Sequence, residues 1–317
     1  MSYLAPILEI GGKGGTAFDF NGIDCGATLE KIGAWAGGWQ IRSIKVWFTN
    51  GQSMQYGDTG DGPYSEYTFK PGEHITSLSL WGNGAGTRLG AIRFTTTRDS
   101  TFFAKMTSWS LKKEYPVDIG SGVCIGIVGR SGADIDSLGF RFINTIKSTV
   151  LTNINYPTLH NVIPQVATEE LKSTSYENDT SVTQQYTLET SKKVIKMSSW
   201  SVTNKIESTF NVSVKAGIPE VARIDSGFSF TEGFQSTYSL EYSEEKEEKL
   251  SFPVQVPPGK TVDVKITIGR AAVDLPYTGT VKITCYDDSV LKFNISGIYN
   301  GLTYTNAHVH VREHNEA

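Results

Sequence analysis

Apolar residues in the first half of this chain recur at every second position, in short runs. Residues 40–48 read QIRSIKVWF, 75–82 ITSLSLWG, 89–96 LGAIRFTT, 123–130 VCIGIVGR and 135–143 IDSLGFRFI. A period of two is the signature of a half-buried strand, and the turn clusters TNGQ, GNGAG and TRDST punctuate the runs. The second half alternates over longer stretches rich in Ser and Thr, as in TVDVKITIGRAAV and GTVKITCYD, with one weakly apolar face and one polar face. That pattern belongs to antiparallel sheet with a solvated side. Neither half sustains a helical period, so the chain is expected to be all-β, its first half a sandwich, barrel or prism.

Composition places a boundary between the two patterns. Residues 1–145 hold 24 of the 32 glycines and five of the six tryptophans. They carry 13 Lys+Arg against 13 Asp+Glu, whereas 146–317 carry 16 against 20, which recovers the net charge of −4. Two domains are therefore expected, 1–145 and 146–317. The weakly negative charge argues against nucleic acid as a partner. Cys25, Cys124 and Cys285 are far apart and odd in number, so neither a disulfide scaffold nor a zinc site is expected. The start MSYLAPILEIGGKGG lacks the basic and apolar segments of a secretory signal, so the chain is expected to be made soluble in the cytoplasm and to leave, if it does, by a non-classical route. The sequons at Asn178, Asn211 and Asn294 are accordingly taken as chance matches.

The stretch GRSGADIDSLGF, residues 129–140, mixes glycines and carboxylates in a way no strand core would choose. Taken alone it fits a tight turn in which Asp134 or Asp136 caps backbone amides. It also fits a sugar site, which needs amides close to the ligand and a carboxylate that accepts from two vicinal hydroxyls. Gly132, Ala133, Asp134 and Asp136 supply those parts, and GGKGG adds a second glycine turn at Gly14 and Gly15. With the strands between them, these motifs resemble the jacalin-related lectins over roughly residues 1–145. The resemblance implies a β-prism of three four-stranded sheets. It implies that Gly15 and the amides of Ala133 and Asp134 bind sugar hydroxyls while Asp136 accepts from two of them. The residues preceding the Gly-Gly turn imply mannose-type rather than galactose-type glycans as partners. A second G-x-x-x-D loop is not recognised, so one site is expected.

Residues 206–231 alternate again. Phe210, Val212 and Val214 fall on one face, Lys215 on the other, and the second arm carries Ile224, Phe228 and Phe230 against Arg223. Each arm has about the 9–11 residues of a tilted membrane strand. A three-residue loop at 218–220 would place Val214 opposite Ile224 and Phe210 opposite Phe228, with Ile218 in the turn and Val221 directly after it. The alternation equally fits a half-buried hairpin of a soluble protein. The order of features, from SSWSV through this hairpin to VQVPPGKTVDVKITI, resembles an aerolysin-type module. A jacalin-like lectin joined to such a module resembles the natterin-like and aerolysin-like proteins of fishes and jawless vertebrates. The resemblance implies an elongated antiparallel module, homo-oligomers and a target membrane pierced by a β-barrel. The alternative is a multivalent mannose-binding lectin whose second domain only oligomerises. No nucleophile, base and acid form a recognisable set, so no enzyme and no cofactor are expected; His308, His310 and His314 lack the further ligands a metal would need. The acidic run YSEEKEEKLSF, residues 242–252, reads as a solvated strand face.

Overall fold

The computed structural model describes residues 2–225 and 227–315. Two compact units emerge. The first comprises Met1–Thr152, Val202–Ser213 and Gly279–Ile295; the second comprises Asn153–Ser201, Val214–Thr278 and Ser296–Ala317. The first unit thus extends past residue 145 and draws two later segments of the chain into itself.

Three four-stranded sheets make up most of the first unit. One orders Ile10–Gly11, Ile135–Phe142, Cys124–Ser131 and Thr16–Asn21. Another orders Glu114–Pro116, Ile75–Gly82, Leu89–Thr96 and Thr101–Lys105. The last orders Ser53–Tyr56, Ile41–Phe48, Leu29–Ala36 and Tyr64–Thr68. The inward positions of each alternation meet in one core, where Ile32, Ile44, Leu80, Ile92, Ile127 and Leu138 are fully enclosed. This is the β-prism that the resemblance to jacalin-related lectins implies. It leaves the strand-connecting turns free to build a site.

The second unit draws on a nine-stranded sheet of long strands, among them Gln184–Trp200, Glu241–Val256, Lys260–Cys285 and Val290–Tyr304. The acidic run lies in Glu241–Val256, antiparallel to Gln184–Trp200. There Lys192 opposes Glu248, Lys193 opposes Glu247 and Lys196 opposes Glu244. Lys193 Nζ lies 2.7 Å from Glu245 Oε1. Lysine–glutamate pairing across strands relieves the repulsion that so many carboxylates would otherwise cause.

A buried aromatic cluster fixes the chain just before residues 219–232. Trp200 Nε1 donates to Tyr156 Oη at 2.9 Å, and that hydroxyl donates to the Gly217 carbonyl at 3.2 Å. Burial raises the Tyr156 pKa well above its ordinary value, so the hydroxyl stays protonated and able to donate. Tyr156→Phe leaves both partners unpaired and is expected to destabilise the fold by about 1–3 kcal/mol. The measurement is the urea midpoint. An unchanged midpoint would show that these bonds contribute nothing net.

Candidate glycan site and the hairpin

The Gly-Gly turn and the 131–136 loop meet through Asp136, which is only 2% exposed. Gly14 is required by close approach, because a Cβ there would stand 2.5 Å from Asp136 Oδ1. Gly15 adopts a φ of +60°, and a Cβ there would collide with Asp136 Oδ2 and the Ser131 carbonyl. Gly132 sits over the same carboxylate, 4.0 Å from Oδ2 by the position its Cβ would take. Strand pairing sets this arrangement: Arg130 opposes Ala17 and Ser131 opposes Thr16, so the turn before Thr16 and the loop after Ser131 are brought side by side.

Three arginines that the sequence reading did not single out complete the site. Arg130 clamps the turn, its Nε and Nη2 each donating over 2.8 Å to the carbonyls of Gly14 and Gly15. Arg88 Nη1 lies 2.8 Å from Asp136 Oδ1, and Arg88 Nε lies 3.6 Å from Asp134 Oδ2. Arg42 Nε stands 3.9 Å from Asp134 Oδ1. The Arg88–Asp136 approach is a charge contact without hydrogen-bond alignment; the aligned bond from Nη1 goes to the Thr87 carbonyl at 2.9 Å.

Four buried side-chain nitrogen or oxygen atoms among the described residues have no hydrogen-bond partner, and three of them meet here: Arg42 Nε, Arg88 Nε and Asp136 Oδ1. Such atoms are costly unless something else satisfies them. The set combines one acceptor with two donors, and its two carboxylates are balanced by two guanidiniums. All three atoms are closed to solvent and lie within 4 Å of an opposite charge, so this ion cluster holds the shape of the loop beneath the open turn. Asp58 N donates to the Ala133 carbonyl at 2.8 Å, and Gly132 N to the Asp134 carbonyl at 3.1 Å. Neither the Ala133 nor the Asp134 amide finds an acceptor among the described residues.

The sequence reading overlooked a second stretch with the G-x-x-x-D spacing, Gly57 to Asp61, beside the turn Gly37–Gly38. Its geometry differs. Asp61 is exposed, and Gly37 and Gly60 pack instead against the Arg42 side chain, with Cβ positions 2.9 Å from Cγ and Cδ respectively.

The 206–231 segment requires a correction. Its two arms do not pair with each other. Ile206–Thr209 is a short helix, Val212–Ala216 lies in the large sheet between Ser236–Ser239 and Ile146–Asn155, and Pro219–Ile224 pairs only with Gly227–Glu232. The chain reverses between Ile224 and Gly227, which pair, rather than at 218–220, and the sequence Asp-Ser-Gly at 225–227 is a stronger turn signal than Ile-Pro-Glu. Ser226 itself, assigned to the second arm, lies outside the described residues. A two-residue loop changes the parity of the second arm. Val221 therefore opposes Phe230, and Arg223, expected on the polar side, opposes Phe228. Phe210, Val212, Val214, Val221 and Phe230 are buried, Ile218 and Phe228 half-buried, and Ile224 exposed.

Next to this hairpin a cleft of about 670 Å³ is lined in part by Lys196, Glu220, Arg223, His308 and His310. The His308 and His310 rings meet edge to face at 4.3 Å. Burial, then Arg223, then His310 lower the His308 pKa. Among the described residues, no three His, Cys, Asp or Glu side chains are grouped to hold a metal ion.

Comparison with known proteins follows the two units. The family described as Jacalin-like lectin domain matches residues 7–141. A crystal structure described as lamprey immune protein is 55% identical, covers 99% of this chain and 100% of its own, and superposes with a TM-score of 0.96. The chain belongs to the family of the lamprey immune protein. Plant lectins align with less of it. Malaysian banana lectin is 27% identical over 44% of this chain and 99% of its own (TM-score 0.37). A mannose binding jacalin related lectin from Ananas comosus is 22% identical over 45% of this chain and 99% of its own (TM-score 0.36). No curated protein matches. The family membership extends over both units, whereas the lectin-domain match lies within the first.

Proposed function

We propose that the chain is a glycan-directed pore-forming protein. The first unit binds mannose-type glycans in the Gly14–Gly15 and Asp136 cradle; copies then assemble, and the 206–231 segment enters the target membrane as part of a β-barrel. The activity is binding and insertion, without catalysis. The observation that carries the first step is the cradle itself: Gly14, Gly15 and Gly132 close against the Asp136 carboxylate, beside a solvent-open turn and the Ala133 and Asp134 amides, which have no acceptor among the described residues. A vicinal diol can donate to a carboxylate and accept from free amides at once, and mannose is favoured because two of the lectins similar to the first unit, from champedak and Ananas comosus, carry mannose binding in their names. The relation to a lamprey immune protein favours defence as the setting.

Insertion rests on the hairpin Pro219–Ile224 and Gly227–Glu232, which forms its own two-stranded sheet and is held to its surroundings by side chains rather than by a backbone ladder. Such an element is released at lower cost than a central strand. No helix among the described residues is long and apolar enough to cross a membrane. The observed register is not that of a membrane wall. Continued outward, it would set Ala216 against Gln235, Val214 against Thr237 and Val212 against Ser239, mixing apolar and polar residues on each face. Placing the apolar side chains of both arms on one face needs a shift of one residue, by an odd-length loop or a bulge. In this account the segment therefore leaves its observed pairing and re-pairs as it inserts.

The test is a glycan array probed with the full chain, followed by dye release from vesicles bearing the best ligand. Binding with release is expected. Binding without release in every lipid composition would leave the multivalent lectin in its place.

A further inference from the structure

Of the six tryptophans, Trp39 and Trp109 stand most in solvent, at 57% and 47% exposure, and their ring centroids are 6.2 Å apart. Two large aromatic rings side by side on a surface call for an occupant, since neither contributes to the core. Their loops are firmly built. Thr107 N donates to the Gly37 carbonyl at 3.0 Å and Ser108 N to the Gly38 carbonyl at 2.8 Å, so the turn carrying Trp39 and the connection carrying Trp109 are joined backbone to backbone. Gly38 lies close under Ser108, with a Cβ position 3.0 Å from its Oγ.

The pair is continuous with the cradle described above. Arg42, whose Nε stands 3.9 Å from Asp134, packs its stem on Gly37, two residues before Trp39. The Asp58 amide ties the 57–62 loop to Ala133, and Gly60 of that loop packs on the same arginine. Contact therefore runs from Asp136 through Arg88, Asp134 and Arg42 to Gly37, whose carbonyl accepts from Thr107 N in the connection that carries Trp109, all within the first unit.

We propose that Trp39 and Trp109 form an aromatic subsite that takes further residues of an oligosaccharide whose first residue sits at Asp136. This rests on the glycan reading of that cradle. A pyranose presents an apolar face of C–H groups and an edge of hydroxyls. The tryptophan faces suit the former, and Arg42, between the two subsites, suits the latter. The ligand class is a branched or extended neutral oligosaccharide, for which a monosaccharide substitutes poorly. A lipid surface is the less favoured occupant, because the pair is embedded in Gly, Ser and Thr loops without a surrounding apolar belt.

The test compares wild type, Trp39→Ala, Trp109→Ala and the conservative Trp39→Phe by calorimetry against methyl α-mannoside and against a high-mannose oligosaccharide. Both side chains are exposed, so folding is expected to survive, and circular dichroism checks this. Oligosaccharide affinity is expected to fall about tenfold for each alanine variant, as for loss of a tryptophan hot spot, with mannoside affinity unchanged and Trp39→Phe partly restored. Equal oligosaccharide affinity in all four proteins would overturn the subsite. So would a uniform loss of binding to glycan-free vesicles in the alanine variants, which would make the pair a lipid anchor. If wild type binds neither sugar, the cradle reading itself fails, an outcome distinct from alanine variants that bind the oligosaccharide as tightly as wild type does.

Discussion

Asp136→Asn is expected to abolish detectable mannoside binding while the protein stays folded. The carboxylate is the acceptor that the glycine turn and the loop after Ser131 close upon, and in the proposed complex a ligand diol directs two charge-assisted bonds to it. At about 1.5–3 kcal/mol each, their loss lowers affinity by about a hundredfold or more. Asparagine keeps the shape against Gly14 and Gly15. Asp134 remains near Arg88 and Arg42, at 3.6 and 3.9 Å, so the two guanidiniums keep a counter-charge. Calorimetry with circular dichroism reads both halves of the expectation. Unchanged affinity in a folded variant would move the sugar away from Asp136.

The second large effect concerns re-pairing. In the double variant Val221→Cys, Phe230→Cys the two thiols are directly opposed across the hairpin. Opposed Cα atoms in an antiparallel pair are about 4.5–5.5 Å apart, within the span a disulfide accepts. Oxidised, the protein should bind glycan as wild type does yet release no dye, because the covalent link holds the register that insertion must abandon. Reduction should restore release. The reduced form is its own control for the loss of two buried apolar side chains. Full release by the oxidised form would mean that the segment need not re-pair, or that the pore is built elsewhere.

The strands were legible in detail. ITSLSLWG and LGAIRFTT coincide with Ile75–Gly82 and Leu89–Thr96, because a sheet with one buried face enforces the alternation that the sequence displays. The glycine turn and the 132–136 loop were legible too, since close approach to a carboxylate leaves few alternatives to glycine. Arg88 and Arg42 were not. They approach Asp134 from positions 46 and 92 residues earlier in the chain, and nothing local marks an arginine that will turn inward. The hairpin failed on parity. Alternation marks faces correctly within one strand, but a reversal displaced by a few residues, from 218–220 to between Ile224 and Gly227, reverses which faces of two strands coincide. The first unit takes in the segments 202–213 and 279–295, which composition does not mark, because composition follows chain order while strands return from far along it.

The most direct test of glycan-directed pore formation is single-channel recording of the wild-type protein in planar bilayers with and without a mannose-bearing lipid. Stepwise conductance is expected only where the glycan is present, and free methyl α-mannoside should suppress it. Glycan-bearing bilayers that bind the protein yet remain electrically silent, or equal conductance without the glycan, would contradict it.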